Sequence, residues 1–477
     1  MLVAQGALLL VATVGVYRSG QLSADFAHFH QAWYLMAHGH LNPTSTFYPS
    51  TFLNQHGEFI MWLIAPLYWL NRDQGLTLLI LQALAIVASI AVAASWLLAV
   101  ARRHHLSAPV TGICVSVLLA LCAFNPWIYA VVYEDFHIEV LAALFALAAG
   151  RDLYLGHGRR AGVWILLGLL SGDVAASYVV AVGVGLVVAA KGVRRNGAVM
   201  ATAGLLWFGV LVGVGATSGS PAAGYRYLSG TTKSPSGLGG VAAIVEGMVS
   251  HPRRPLHRLH TEIGAVWDNL VPSGVAGLFD PLMVLPVLAV LLANGLNSAD
   301  FITVRFQNLA LFLFASLGTA LICVRLAGAR AWRTIAVGIV AAATVASALV
   351  FDLPRLRAGA EVTFRITPVA SRQLAEVRAL VPESAEVVSS FGVVGRFSGR
   401  TWAYGILTAD FPVPVRAQEV IFVLAPAAGN IAVPGPVTAA AANYVTSILQ
   451  ATEIYHGSEV AAYVWHPRTL GGVVVLP

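Results

Sequence analysis

The sequence predicts an α-helical integral membrane protein: a bundle of about nine to eleven transmembrane or re-entrant helices, followed by a small C-terminal α/β domain. Three observations lead there. Of the 477 residues, 58% are hydrophobic and only 10% are charged, where a soluble domain carries about a quarter charged residues. The mean hydropathy is +0.76. The basic residues fall in short clusters between apolar runs, which is how a polytopic protein fixes its topology. The net charge of +6 and the pI near 9.3 are therefore topology signals, not a nucleic-acid footprint. Cys114, Cys122 and Cys323 lie inside apolar runs, as small packing residues do, so neither a disulfide framework nor a thiolate metal site is expected.

The apolar runs give the elements in order. Crossings are expected at about 2–17, 74–101, 107–124, 137–150, 161–173, 174–190, 197–216, 304–323 and 333–351. The first lacks a basic leader and a small-residue cleavage site, so it reads as a retained helix. Two shorter runs, 58–70 and 278–294, fall below the roughly 20 residues of a full crossing and read as re-entrant or interfacial. Arg102-Arg103-His104-His105, Arg151 with Arg159-Arg160, Lys191 with Arg194-Arg195, and Arg325, Arg330 and Arg333 mark the cytoplasmic face. The turns Asn125–Phe136 and Ser171-Gly172-Asp173 lack Lys and Arg and face outward. The first loop (18–57), both turns and a long loop at 217–277 then share the outer face, with Arg18 a mild exception to the charge rule. The long loop is rich in Gly, Ser, Pro and basic residues (Arg226, Lys233, Arg253, Arg254 and Arg258), and it is expected to be partly mobile.

Beyond about Asp352 the pattern changes. Val369–Val381 has helical periodicity, 386–390 and 419–424 read as strands, 437–450 as a helix and 460–465 as a last strand. The domains are thus a membrane domain, 1–351, and an extracytoplasmic α/β domain, 352–477.

Four sets of residues are candidates to carry chemistry. Asp25, His28 and His30 stand where the first helix surfaces, with His38, His40 and His56 further along the loop. The spacing of His28, His30, His38, His40 and His56 is compatible with a metal site; the alternative for such histidines is an amphipathic surface. Glu134-Asp135-Phe-His137-Ile-Glu139 opens a membrane helix with Asp135 and Glu139 four residues apart. Helix capping explains one acid there, but not three acids and an imidazole. Asp173 stands between two apolar runs, as a site residue or as a turn residue and N-cap. Arg226, Arg253, Arg254 and Arg258 suit a phosphate or an exposed basic loop. Metal ligation by Asp25, Asp135 and His137 is expected to favour Mg²⁺ or Mn²⁺, since carboxylates are hard donors.

Asp25-Phe-Ala-His-Phe-His-Gln-Ala-Trp33 with Ala37-His-Gly39 resembles the FDLGxFDQxxWxxAxG opening of a family of predicted polytopic bacterial membrane proteins grouped with the GT-C glycosyltransferases. His56 with Leu63-Ile-Ala-Pro-Leu-Tyr-Trp69, Asp135-Phe-His-Ile-Glu-Val-Leu-Ala142, Ser171-Gly-Asp-Val-Ala175, Asp280-Pro-Leu282 and Asn297-Ser298 follow in the family's order. The resemblance covers nearly the whole chain. Departures stand at His30, where the family has Asp, at Gln55 for Asp, at Ile138 for Pro, and at Ser171-Gly172 for Lys-Glu.

The resemblance implies a glycosyltransferase of the bacterial cytoplasmic membrane. Such an enzyme moves a sugar from a polyprenyl-phosphate donor to an envelope glycan, lipid or protein on the outer face. Inverting transfer needs a carboxylate to take the acceptor proton and cations or dipoles for the leaving phosphate. Asp25 and Asp135 are the expected catalytic residues. His56, His137, Glu139, Asp173, Arg226 and Arg258 are the expected substrate contacts. Two rivals remain: an inactive relative that binds a lipid-linked sugar, and a transporter. Transport sites tend to lie at the midplane, whereas the acids here cluster at one membrane boundary.

Overall fold

The computed structural model describes all residues except 21, 49, 72, 134, 218–222, 231–236, 299–304, 328–365, 408 and 426–434, and only the backbone of 223, 305–307 and 435–437. The crossing expected at 333–351 lies outside the described residues. In chain order the helices are α1 (Leu2–Ser19), α2 (Ala24–Ala37), the short α3 (Leu53–His56) and α4 (Ile60–Ile64), α5 (Gln74–Arg103), α6 (Ala108–Phe124), α7 (Pro126–Tyr133), α8 (Glu139–Tyr154), α9 (Gly158–Leu170), α10 (Asp173–Ala189) and α11 (Arg194–Gly213). Then come α12 (Arg226–Ser229), α13 (Gly237–Ser250), α14 (Arg253–Thr261), α15 (Ile263–Leu270), α16 (Val284–Leu296) and α17 (Arg305–Ala327). The chain divides into two compact units. One comprises Met1–Leu9, Leu53–Ile60 and Gln82–Glu361; the other comprises Leu10–Phe52, Met61–Leu81 and Val362–Pro477.

Among the described residues, four helices are long and apolar enough to cross a membrane: Leu2–Ser19, Gln74–Arg103, Lys191–Gly213 and Asn308–Ala327. A fifth results if α6 and α7 form one span bent by 46°. Hydropathy alone suggests more because it joins short apolar helices to their flanks. α8 has 16 residues and α10 has 17, about 24–26 Å at 1.5 Å per residue against a hydrocarbon core of about 30 Å.

The turn read as Asn125–Phe136 is largely helix α7. Asn125 breaks the run because a residue preceding Pro126 leaves the αR region, here at ψ 112°. The loop expected at 217–277 is also largely helical where it is described, as α12–α15. Gly247 lets α13 pack against neighbouring backbone, since a Cβ there would collide with the Leu228 carbonyl oxygen.

In the first unit α17 is the central element, with Leu309–Ala320 buried throughout. Helices α10 and α11 approach at backbone distance, since a Cβ on Gly197 would lie 2.7 Å from the Gly183 carbonyl oxygen. Small residues allow this packing where no hydrophobic drive distinguishes protein from lipid. Cys114, Cys122 and Cys323 are free and buried, as expected.

The second unit carries a five-stranded sheet in the order β2-β1-β4-β6-β5, from Ala403–Ile406, Glu386–Ser390, Val420–Leu424, Ala461–Trp465 and Thr452–His456. β3 (Phe411–Pro414) and β7 (Val473–Leu476) form an antiparallel pair. β1 is parallel to both β2 and β4, while β6 runs antiparallel to β4 and β5. β1 and β4 are buried along their whole length. Val387, Ile421 and Val423 pack against Leu374 and Val377 of the helix Pro368–Leu380. Val388, Phe422 and Leu424 pack on the other face against Ala441 and Val445 of the helix Gly435–Ser447. A strand covered on both faces reads as a continuous apolar run, as β4 does, whereas β1 also buries Glu386, Ser389 and Ser390. Thr367 caps the first of those helices, its Oγ1 accepting from Ala370 N at 3.0 Å, with Pro368 at the first helical position.

Candidate functional site

The first unit gathers His56, Glu58, Glu139 and Asp173. His56 ends α3, and Glu58 lies two residues on in the turn before α4. Glu139 opens α8 and Asp173 opens α10, where acids complement the helix dipole. His56 Nδ1 donates to Asp173 Oδ1 at 3.3 Å, and Val174 N donates to the same oxygen at 2.8 Å. Glu58, Glu139 and Asp173 are buried, whereas the His56 side chain keeps 27% exposure. The Oε2 of Glu139 is buried without a hydrogen-bond partner.

Electrostatics follow from this crowding. Burial works against a charged His56. The hydrogen bond and charge of Asp173 outweigh it, helped by Glu58 and Glu139, and push the imidazole up to about 10. His56 is a cation at neutral pH. Burial pushes the Glu58 carboxyl above the usual range, with the His56 charge partly offsetting it. A buried carboxyl beside an imidazolium can hold or release a proton near neutral pH.

Backbone details fix the cluster. Gly172 has φ +103°, and a Cβ there would stand 2.7 Å from the His56 carbonyl oxygen and 3.2 Å from Glu58 Cγ. Only glycine lets the start of α10 come so close to the 56–58 turn. Gln82 of α5 fixes the other side. Its Nε2 donates to the carbonyls of Val131 (3.0 Å) and Asp135 (3.3 Å), and its Oε1 accepts from His137 N at 2.8 Å. That holds the approach to α8. His137 is buried beside the cluster, and Asp135 is half-buried in the preceding loop.

Asp173 also stands on the wall of a cavity of about 270 Å³. The rest of the lining is largely apolar and includes Phe208, Val212, Ile244, Met248 and Leu296. Tyr225 lines it too, its hydroxyl donating to the Ala293 carbonyl at 2.6 Å. The carboxylate that binds His56 thus borders an apolar recess.

Arg226 is exposed at the start of α12. The Arg258 guanidinium is engaged by the protein: Nη2 donates to the Asn297 carbonyl at 2.9 Å and Nη1 pairs with Glu262 at 2.7 Å.

The residues of the first loop belong to the second unit. Asp25 is exposed on the first turn of α2 and accepts from the Tyr48 hydroxyl at 2.9 Å. His30 is buried, with Nδ1 3.0 Å from Ser398 Oγ. His28 is buried against Tyr48 and Phe52, with ring centroids 4.6 and 5.0 Å away. The His38 ring contacts Trp69 at 4.9 Å, and His40 is exposed. His28, His30 and His38 thus make separate packing and hydrogen-bonding contacts. Of the expected metal set, Asp25 lies in the second unit and Asp135 and His137 in the first. Among the described residues, no three His, Cys, Asp or Glu side chains are grouped to hold a metal ion.

Glu58 and Gln82 were not singled out by the sequence. Glu58 is the lone acid at the head of an apolar run, a signal of the same kind that marks Asp173. Gln82 lies inside an apolar helix with no such flag.

A family model described as "Predicted membrane protein (DUF2079)" matches residues 21–401, the stretch that holds every residue of this cluster. The chain belongs to the DUF2079 family of predicted membrane proteins. No curated protein matches it.

Proposed function

We propose that this DUF2079 protein is a membrane glycosyltransferase that takes a sugar from a polyprenyl-phosphate donor and passes it to a cell-envelope acceptor outside the cytoplasmic membrane. The observation that carries this reading is the apolar cavity ending at Asp173, the carboxylate bound to the His56 cation. A lipid-linked phosphate needs that combination: a recess for the start of the isoprenoid chain beside a cation for the phosphate. His56, oriented by Asp173, hydrogen-bonds the departing phosphate and stabilises its growing charge. Glu139, with its unpartnered Oε2, takes the acceptor hydroxyl's proton as the oxygen attacks the sugar C1 and the C1–O–phosphate bond breaks. Glu58 supplies a second buried acid that tunes both.

Asp25 remains the second candidate for the base, because it is exposed and hydrogen-bonded to a tyrosine in the first loop. Transfer of radiolabelled sugar in reconstituted vesicles tests the proposal. Glu139→Gln should lower turnover by about 10²–10⁴-fold, the usual cost of losing a positioned base, while leaving polyprenyl-phosphate binding intact. Full turnover by that variant removes Glu139 from the mechanism. No turnover by the unmodified protein with any polyprenyl-phosphate sugar favours a binding protein without catalysis.

A further inference from the structure

The helices that start at the acidic cluster end at a different kind of site. α8 runs from Glu139 to Tyr154 and α10 from Asp173 to Ala189, so their far ends lie about 24 Å away along the helix axes. There a cavity of about 360 Å³ is lined by Arg103 and His104 at the end of α5, Tyr154, Lys191, Leu282 and Arg325 of α17. We infer that this cavity binds a phosphate-bearing anion, such as the headgroup of an anionic lipid, at the membrane face opposite the His56–Asp173 site.

Charge balance is the first argument. Arg103, Lys191 and Arg325 are three cations facing one space. Asp280, buried, pairs with Arg325 at 2.8 Å. Three positive charges less one leave +2 without counting His104. Among the described residues, Lys191 and Arg103 have no carboxylate partner.

Burial and the neighbouring charges of Arg325 and His105 hold His104 below the usual imidazole range. The site therefore already resists a further proton. An anion would relieve that repulsion.

Shape is the second argument. Marking the cytoplasmic side requires only basic residues near helix ends; it does not require them to line a hollow. The nearby Arg151 and Arg160 illustrate the other outcome. Both converge on the buried Asp152, at 2.7 and 3.4 Å, and Trp164 Nε1 donates to the same carboxylate at 3.1 Å. That basic cluster is internally compensated, whereas the Arg103–Lys191 cluster is not.

Arg103 is also pre-positioned. Its guanidinium lies 4.0 Å from the Tyr154 ring centroid and donates through Nη2 to the Tyr154 carbonyl at 2.6 Å. A stacked guanidinium is held for planar recognition of an oxyanion. Basic pockets between membrane helices on the cytoplasmic side suit phosphate headgroups.

The inference does not depend on the proposed glycosyl transfer, because it concerns the other end of the helices. The test uses the full-length protein purified in detergent and put into nanodiscs of phosphatidylcholine with or without phosphatidylglycerol. Native mass spectrometry counts retained anionic lipid, and inorganic phosphate is added to the detergent sample as the soluble probe. Phosphatidylglycerol should stay bound to the unmodified protein, and Arg103→Ala with Lys191→Gln should lower its apparent affinity at least tenfold, as loss of charged hydrogen bonds does. Lys191→Gln alone, at an exposed position, keeps the test valid if the double variant misfolds; it should give a smaller loss in the same direction. Thermal stabilisation by inorganic phosphate without lipid retention, lost in the variants, would assign the site to a soluble phosphate. Equal lipid retention by all variants, with no response to inorganic phosphate, would overturn the inference.

Discussion

The pairing of His56 with Asp173 yields the sharpest perturbation, Asp173→Asn. At 3.3 Å, two unit charges interact by about 5 kcal/mol at an effective dielectric of 20. That figure is a ceiling. The His56 ring keeps 27% exposure, Glu58 and Glu139 remain nearby, and an amide still accepts from Val174 N. A loss of about 1–3 kcal/mol is expected, as for a hydrogen bond to a charged group. At 1.36 kcal/mol per pH unit, the His56 pKa should drop by about one to two.

The sign of the pH dependence follows. The folded state raises His56 to about 10 from an unfolded value near 6.5. The stabilisation is therefore complete below about pH 6.5 and is lost as pH rises through about 10. ¹⁵N-histidine titration of the reconstituted protein between pH 5 and 11, with thermal unfolding over the same range, reads both effects. The variant should show an earlier alkaline midpoint and a flatter stability profile. A His56 that titrates near 6.5 in the unmodified protein, or identically in the variant, refutes the reasoning.

Other predictions rest on neighbouring features. Gly172→Ala should destabilise by about 1–3 kcal/mol or more, because a Cβ at φ +103° is strained and meets the His56 backbone; a melting temperature equal to that of the unmodified protein contradicts this. Ile244→Trp should fill the cavity beside Asp173 and weaken polyprenyl-phosphate binding while leaving inorganic phosphate at the Arg103 cavity unaffected, as titration calorimetry would read. Asp25→Asn should leave folding and donor binding unchanged; a turnover loss of about 10²–10⁴-fold in the vesicle assay would move the base from Glu139 to Asp25. Cysteines introduced at Gly219 and Gly429, both outside the described residues, should label from outside, and one at Gly192 should not. External labelling at 192 would reverse the proposed orientation.

The sequence revealed the elements whose signal is local. The strand Val420–Leu424 stands out because a strand covered on both faces is an unbroken apolar run, whereas Glu386–Ser390 is marked by its β-branched Val387-Val388 pair. Asp173 and Glu139 stand out because an acid at the start of an apolar helix is costly unless it is used or turned inward. What remained hidden depends on distant partners. His30 has the spacing of a metal ligand, yet its ring contacts Ser398, a pairing no local pattern encodes. Asp25 and His56 lie in one sequence loop, yet they belong to different compact units, a division no local pattern encodes. Gln82 fixes the Asp135–His137 loop from inside an apolar helix, where composition gives no hint of a role.

The central claim is that the cavity beside Asp173 receives the isoprenoid chain of a lipid-linked phosphate whose headgroup meets His56. Photo-crosslinking of a diazirine-bearing polyprenyl phosphate to the purified full-length protein, mapped by peptide mass spectrometry, tests it most directly. Adducts should concentrate on Phe208, Val212, Ile244 and Met248, and diminish with His56→Gln and with Ile244→Trp. Adducts spread evenly over exposed apolar residues such as Leu205 and Leu206, and unchanged in both variants, would contradict it.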